Sequence, residues 1–161
     1  MMKYRDLYLD NYYVKNIYIQ GLDDLETFLK GQLGQLTTER FCIGLLSDSD
    51  EVLLWTDGAF MSQMGVREVT IPLVEITRLI ALMEPHKLFM AHNHPSGVTH
   101  ISENDVVTTQ KVKDLCELLG IQFEGHYLVA GDSVRNVEGE DALSLNDIQR
   151  HIERGQSYVN R

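Results

Sequence analysis

The chain has 161 residues, 43% of them hydrophobic and 24% charged, the makeup of one globular domain with short extensions. No apolar run approaches the ~20 residues that span a bilayer, and the N-terminus Met1-Met2-Lys3-Tyr4-Arg5-Asp6 has no apolar stretch behind it that reads as a signal peptide, so the expectation is a cytoplasmic protein with no membrane partner. The 14 basic residues against 24 acidic ones, a net charge of −10, disfavour direct binding to nucleic acid, whose phosphates are gripped by Lys and Arg.

Residues 1–20 read as an N-terminal arm, with a loose alternation through Tyr12, Val14, Ile17 and Ile19 that suits one or two strands. Gly21-Leu22-Asp23-Asp24 opens a helix with Leu22, Leu25, Phe28 and Leu29 on one face. The two acids suit its N-terminal dipole, and Gly31 or Gly34 ends it. Phe41 to Leu46 and Glu51 to Trp55 are apolar runs joined by a Ser-Asp-Ser-Asp turn, which predicts a hairpin. Ile71-Pro72 starts a second helix carrying Leu73, Ile76, Ile80 and Met83 at helical spacing, and Pro85 stops it. Lys87 to Met90 is a short strand that leads into His92. A third helix runs from Ser102, a good N-cap, to about Leu119, with Gly120 as its stop.

Ile121 to Phe123 and His126 to Ala130 read as two closing strands, the second turning at Gly131-Asp132. Residues 138–161 form a polar C-terminal extension, in which Leu145, Ile148 and Ile152 suit a short amphipathic helix over Ser144 to Arg154. Strands mixed with long helices indicate an α/β or α+β sandwich. Cys42 and Cys116 each fall in an apolar run and form no CxxC pair, so buried thiols are expected rather than a disulfide. The arm and the tail are the segments that would pack on a second copy in a homodimer.

The segment Ala91-His-Asn-His-Pro-Ser-Gly-Val-Thr-His-Ile-Ser-Glu-Asn-Asp105 carries the chemistry. Two histidines one residue apart at a strand end point the same way and can grip one ion. Asp105 stands on the first turn of the next helix, and the loop, turned by Pro95 and Gly97, returns its carboxylate to the same point. Two imidazoles and a carboxylate fill three tetrahedral positions around zinc and leave the fourth for water, the arrangement of a catalytic site. Alone, each piece is bland: a polar strand-end histidine, a helix cap, a first-turn acid. Together they stand at the spacing of one strand–loop–helix unit.

His92-x-His94, seven residues, then Ser102-x-x-Asp105 matches the HxH-x7-SxxD (JAMM) pattern, and the chain resembles the JAB/MPN superfamily. His92-Asn-His-Pro-Ser-Gly97 is similar to its RadC-like branch, as are Glu39-Arg-Phe-Cys-Ile-Gly-Leu-Leu-Ser-Asp48, Pro72-Leu-Val-Glu75 and Gly120 to Gly131. The likeness spans roughly residues 21–137, taken as the domain. It implies a cytidine-deaminase-like α/β sandwich, a mixed central sheet flanked by two main helices. It also implies a zinc ion on His92, His94 and Asp105, and a metallopeptidase or isopeptidase acting on a peptide or protein substrate. Glu39 matches the glutamate that, in active members, takes the proton from the attacking water, and Ser102 would donate to the oxyanion. Glu51, Glu68 and Glu75 compete for the role of base, with Glu75 expected on a solvated helix face and Glu51 just after a turn.

His126 corresponds to a histidine that an acid usually precedes in RadC-like proteins; here Gly125 precedes it, leaving contact with a metal ligand and a plain core histidine both open. His86 and His100 read as surface residues, while Asn93 and Ser96 shape the ligand loop. The contiguous His-Asn-His is not the scattered signature of an HNH nuclease. The RadC name implies an alternative, a DNA-repair-associated accessory protein without proteolytic activity. Full-length RadC-like proteins carry a helix-hairpin-helix module, and residues 1–38 contain no such glycine-centred hairpin. A scaffold reading is weakened by the retention of all three ligands.

Overall fold

The computed structural model describes residues 16–56 and 73–138, and in them five strands form one sheet with three helices on its faces. In chain order the elements are α1 (Leu22–Leu33), β1 (Phe41–Leu46), β2 (Val52–Trp55), α2 (Leu73–Met83), β3 (Lys87–Asn93), α3 (Glu103–Leu119), β4 (Gln122–Ala130) and β5 (Ser133–Asn136). The strands lie in the order β2-β1-β3-β4-β5. Only β3 and β4 run parallel, with α3 as their crossover; the other neighbours are antiparallel. This is a mixed α/β sandwich of the expected class. The extended stretch expected before residue 16, the Ile71-Pro72 helix start, Glu68 and the helix over 144–154 lie outside the described residues. No helix among the described residues is long and apolar enough to cross a membrane.

Period-two alternation splits the core. On one face Ile43, Leu45, Leu88 and Met90 pack against Ile76, Leu79 and Ile80 of α2 and Val112 and Cys116 of α3. On the other, Cys42, Leu46, Phe89, Ala91, Tyr127 and Val129 pack against Leu25, Leu29 and Leu33 of α1. The apolar face of α1 is therefore set by Leu25, Leu29 and Leu33; Leu22, expected on it, is 57% exposed at the helix start. Both cysteines are buried, and burial pushes the Cys116 thiol up to about 11.

Two features of the sheet depart from the sequence reading. The segments around Phe123 and Leu128 form one strand, β4, because Glu124 is an extra residue: Phe123 faces Leu88 and Gly125 faces Phe89. Gly125 takes φ 126°, a conformation open to glycine, and a Cβ there would stand 2.9 Å from the Tyr127 hydroxyl. After the Gly131-Asp132 turn the chain continues into β5, an edge strand that the sequence Ser-Val-Arg-Asn does not announce.

Gly44 on β1 is demanded by packing. A Cβ at that position would run into the Phe89 ring, which is buried and packed against Trp55 and Phe28. Gly44→Ala is expected to cost about 1–3 kcal/mol by overpacking, read as a lowered urea midpoint at unchanged slope. An unchanged midpoint would show that the ring can yield.

Candidate metal centre

The sheet register assembles the site. Along β3, Leu88 and Met90 face α2 and α3, so His92, two residues further, faces α3 as well. On β4, Tyr127 and Val129 face α1, which turns His126 toward α3, beside His92. Antiparallel pairing sets Phe41 opposite His92, so the residues just before β1, Glu39 among them, arrive where β3 ends. The site thus opens at the carboxyl end of the parallel strand β3, next to the N-terminus of α3.

The two motif histidines meet, with ring centroids 4.9 Å apart. His94, part-exposed in the loop, has Nδ1 at 2.8 Å from the Val98 carbonyl. A carbonyl only accepts, so Nδ1 carries the proton and Nε2 presents a lone pair. His92 is 2% exposed, and its Nε2 is buried without a hydrogen-bond partner among the described residues. Its Nδ1 lies 2.8 Å from His126 Nε2, and Phe41 stacks on the ring at 6.1 Å between centroids. A buried, unpaired nitrogen next to a second free imidazole nitrogen is what a cation would satisfy.

Carboxylates complete the donor set. Ligand atoms of Glu39, His92 and His94 all lie within 4.8 Å of one another, the grouping among the described residues that could hold a metal ion. Glu39 is the exposed member, its side chain 58% accessible and Oε1 3.9 Å from His94 Nε2. Asp105 reaches the same His92 nitrogen from α3, with Oδ1 at 3.5 Å, too long for a good hydrogen bond but suited to sharing an ion. Burial alone would raise the Asp105 carboxyl, but the His92 ring and the Ser102 donors hold it well below the usual carboxylate range. Ser102 and Asp105 form a capping box: Asp105 N–H donates to Ser102 Oγ and Ser102 N–H to Asp105 Oδ2, both at 3.0 Å. Asp105 Oδ1 is thereby turned to the histidines, and Ser102 keeps its own O–H to give.

Asn93, between the histidines, has a sharper role than loop shaping. Its buried amide accepts from Arg40 N–H at 2.6 Å and donates to the Thr38 carbonyl at 3.0 Å, gripping the backbone on both sides of Glu39. Ser96 Oγ accepts from Val98 N–H at 3.4 Å within the ligand loop.

A family profile, the RadC-like JAB domain, matches residues 19–142. The chain belongs to the RadC-like JAB family. Curated relatives include a UPF0758 protein of Haemophilus influenzae, 31% identical over 111 residues, covering 69% of this chain and 49% of that protein. One of Neisseria meningitidis is 27% identical over 122 residues, 76% of this chain and 53% of its own. A local match in Streptococcus gordonii reaches 39% over 56 residues, 35% of this chain and 25% of the relative. The chain spans about half the length, or less, of these relatives.

Within this RadC-like domain the remaining candidates stand apart. Glu75, expected on a solvated face, is only 15% exposed and pairs with Arg78 at 3.1 Å, because α2 turns that side inward. Glu51 belongs to the hairpin and bridges to Tyr18. His86 and His100 are exposed, as expected. His126 is 0% exposed; burial first, then the neighbouring His92, pushes it well below the ordinary histidine value, with Asp105 opposing. Thr109 of α3, 2% exposed, contacts His126 and carried no signal in the sequence, since a helix-borne threonine usually signifies nothing.

Proposed function

We propose that the protein is a zinc-dependent hydrolase of JAMM type, a metallopeptidase or isopeptidase acting on a peptide or protein substrate. The observation that carries this reading is the grouping of His92 and His94 with Glu39, in which the His92 Nε2 is buried and unpaired and has Asp105 Oδ1 3.5 Å away. Two imidazoles with carboxylate oxygen are the ligand chemistry of zinc hydrolases, and the open side toward Glu39 leaves room for water.

Bound there, zinc would polarise a scissile carbonyl and lower the pKa of water toward ~7. His92 and His94 hold, with Asp105 as the third ligand. Glu39 takes the proton of the attacking water and passes it to the leaving amine, a role that its exposed position serves. Ser102 O–H donates to the developing oxyanion. The rival reading, an accessory role in DNA repair, leans on the RadC name, and a net charge of −10 speaks against it.

The test joins metal analysis of the purified protein with cleavage of peptide libraries and isopeptide-linked substrates. About one zinc per chain is expected, together with cleavage that a chelator abolishes and zinc restores. Stoichiometric zinc with no substrate cleaved under any condition would leave a binding module instead.

A further inference from the structure

A chain of three buried side chains leads from α3 into the back of the site. Thr109 Oγ1 donates to the main-chain carbonyl of Asp105 at 2.6 Å. The same oxygen lies 2.6 Å from His126 Nδ1. His126 Nε2 then lies 2.8 Å from His92 Nδ1. All three residues are at most 2% exposed.

Counting protons along this chain assigns each one. A threonine hydroxyl owns a single proton, and the Asp105 carbonyl, which can only accept, must receive it. The short contact from Thr109 to His126 therefore needs a proton from the ring, so His126 Nδ1 is the N–H. The His126 ring is fully buried between a hydroxyl and a second imidazole, surroundings that disfavour a charged ring, so its Nε2 is a lone pair. His92 Nδ1 must then be the donor, and in the neutral His92 ring the lone pair falls on Nε2, the nitrogen that faces Asp105 and His94. The backbone provides the geometry. Met90, not His92, lies directly opposite His126 in the parallel register, and the bulge at Gly125 sets the ring on the α3 face where it reaches diagonally to His92.

We propose that Thr109 and His126 are positioning residues that hold His92 in the Nδ1–H tautomer, so that its Nε2 lone pair is aimed into the metal centre before any ion arrives. The proposal rests on the metal-centre reading above, and it assigns to the Thr109–His126 pair the task that a carboxylate or backbone carbonyl performs behind many metal-bound histidines. His94 is held in the same tautomer by the Val98 carbonyl. The two ligands are thus fixed independently, one by the loop and one by the core.

The experiment has a metal-free arm and a metal arm. Long-range proton–nitrogen NMR on histidine-labelled, metal-stripped protein should find His92 and His126 both protonated at Nδ1, with His92 losing that uniform state in Thr109→Val and His126→Leu. Zinc affinity, by competition with a chromogenic chelator, should fall about 10- to 100-fold in the same variants. Thr109→Ser, which keeps the hydroxyl, and His126→Gln, which can return an acceptor to His92, should recover most of it. A wild-type His92 protonated at Nε2 would overturn the proposal, and so would unchanged zinc affinity in both disruptive variants. Wild-type protein that binds no zinc would defeat the metal reading alone, since the tautomer measurement on the wild type needs neither metal nor a substitution.

Discussion

Glu39→Gln is expected to retain bound zinc while losing hydrolysis by about 10²- to 10⁴-fold, the usual contribution of a positioned general base. Glutamine fills the same space at the mouth of the site but cannot take a proton. The effect should fall on kcat, because the histidines and Asp105 proposed to hold the metal are untouched. A second role for Glu39 is open to the same measurement. Its carboxylate joins His92 and His94 within 4.8 Å, whereas Asp105 approaches through His92 at 3.5 Å. Were Glu39 the third ligand, zinc affinity would fall with activity in Glu39→Gln and Asp105→Asn would leave both intact. Zinc titration and steady-state kinetics on the two variants decide between base and ligand.

Asn93→Ala is expected to cost about 1–3 kcal/mol of stability and, separately, to lower kcat on the order of 10²-fold. Alanine removes both amide bonds at once, leaving Arg40 N–H and the Thr38 carbonyl without their partner. The stability cost is tempered because Thr38 lies at the surface, where water can replace the amide. The catalytic loss has a different origin: of the three bonds that Asn93 makes to the segment bearing Glu39, the backbone bond from Asn93 N–H to the Arg40 carbonyl at 3.2 Å alone would remain. Asn93→Asp sharpens the test, since a carboxylate can accept from Arg40 but meets the Thr38 carbonyl with repulsion. Zinc affinity should hold in both. Full kcat alongside a lowered melting temperature would mean that Asn93 serves the fold and not the position of Glu39.

The part of the site that could be read from sequence is the part encoded locally. His92, His94, Ser102 and Asp105 fall in one strand–loop–helix unit, where period-two alternation and helix capping translate spacing into geometry without knowledge of the rest of the chain. Glu39 was reachable by resemblance alone, because its arrival depends on the Phe41–His92 pairing of strands distant in sequence. The roles of Thr109, His126 and Asn93 were hidden for the same reason, each being fixed by a partner on another element. Gly125 misled as well: an isolated glycine inside a strand pattern reads as a break, yet here it marks a bulge that keeps β4 continuous. β5, with valine its only apolar residue, has the composition of a loop and is a strand by virtue of its pairing with β4. The partial burial of Glu75 depends on what α2 faces, which its amphipathic pattern did not disclose.

The route by which Glu39 reaches the site bears on the order in which the protein matures. The motif ligands lie within residues 92–105, a short stretch whose ends cost little to bring together. The clamp on the Glu39 segment joins Arg40 to Asn93 across 53 positions and exists only after β1 has zipped onto β3. On the proposed reading, ion capture and hydrolytic competence would be separate events in the life of the chain. A copy whose β1 is not yet paired with β3 would lack its base, so the capacity to cut would be withheld until the sheet is complete.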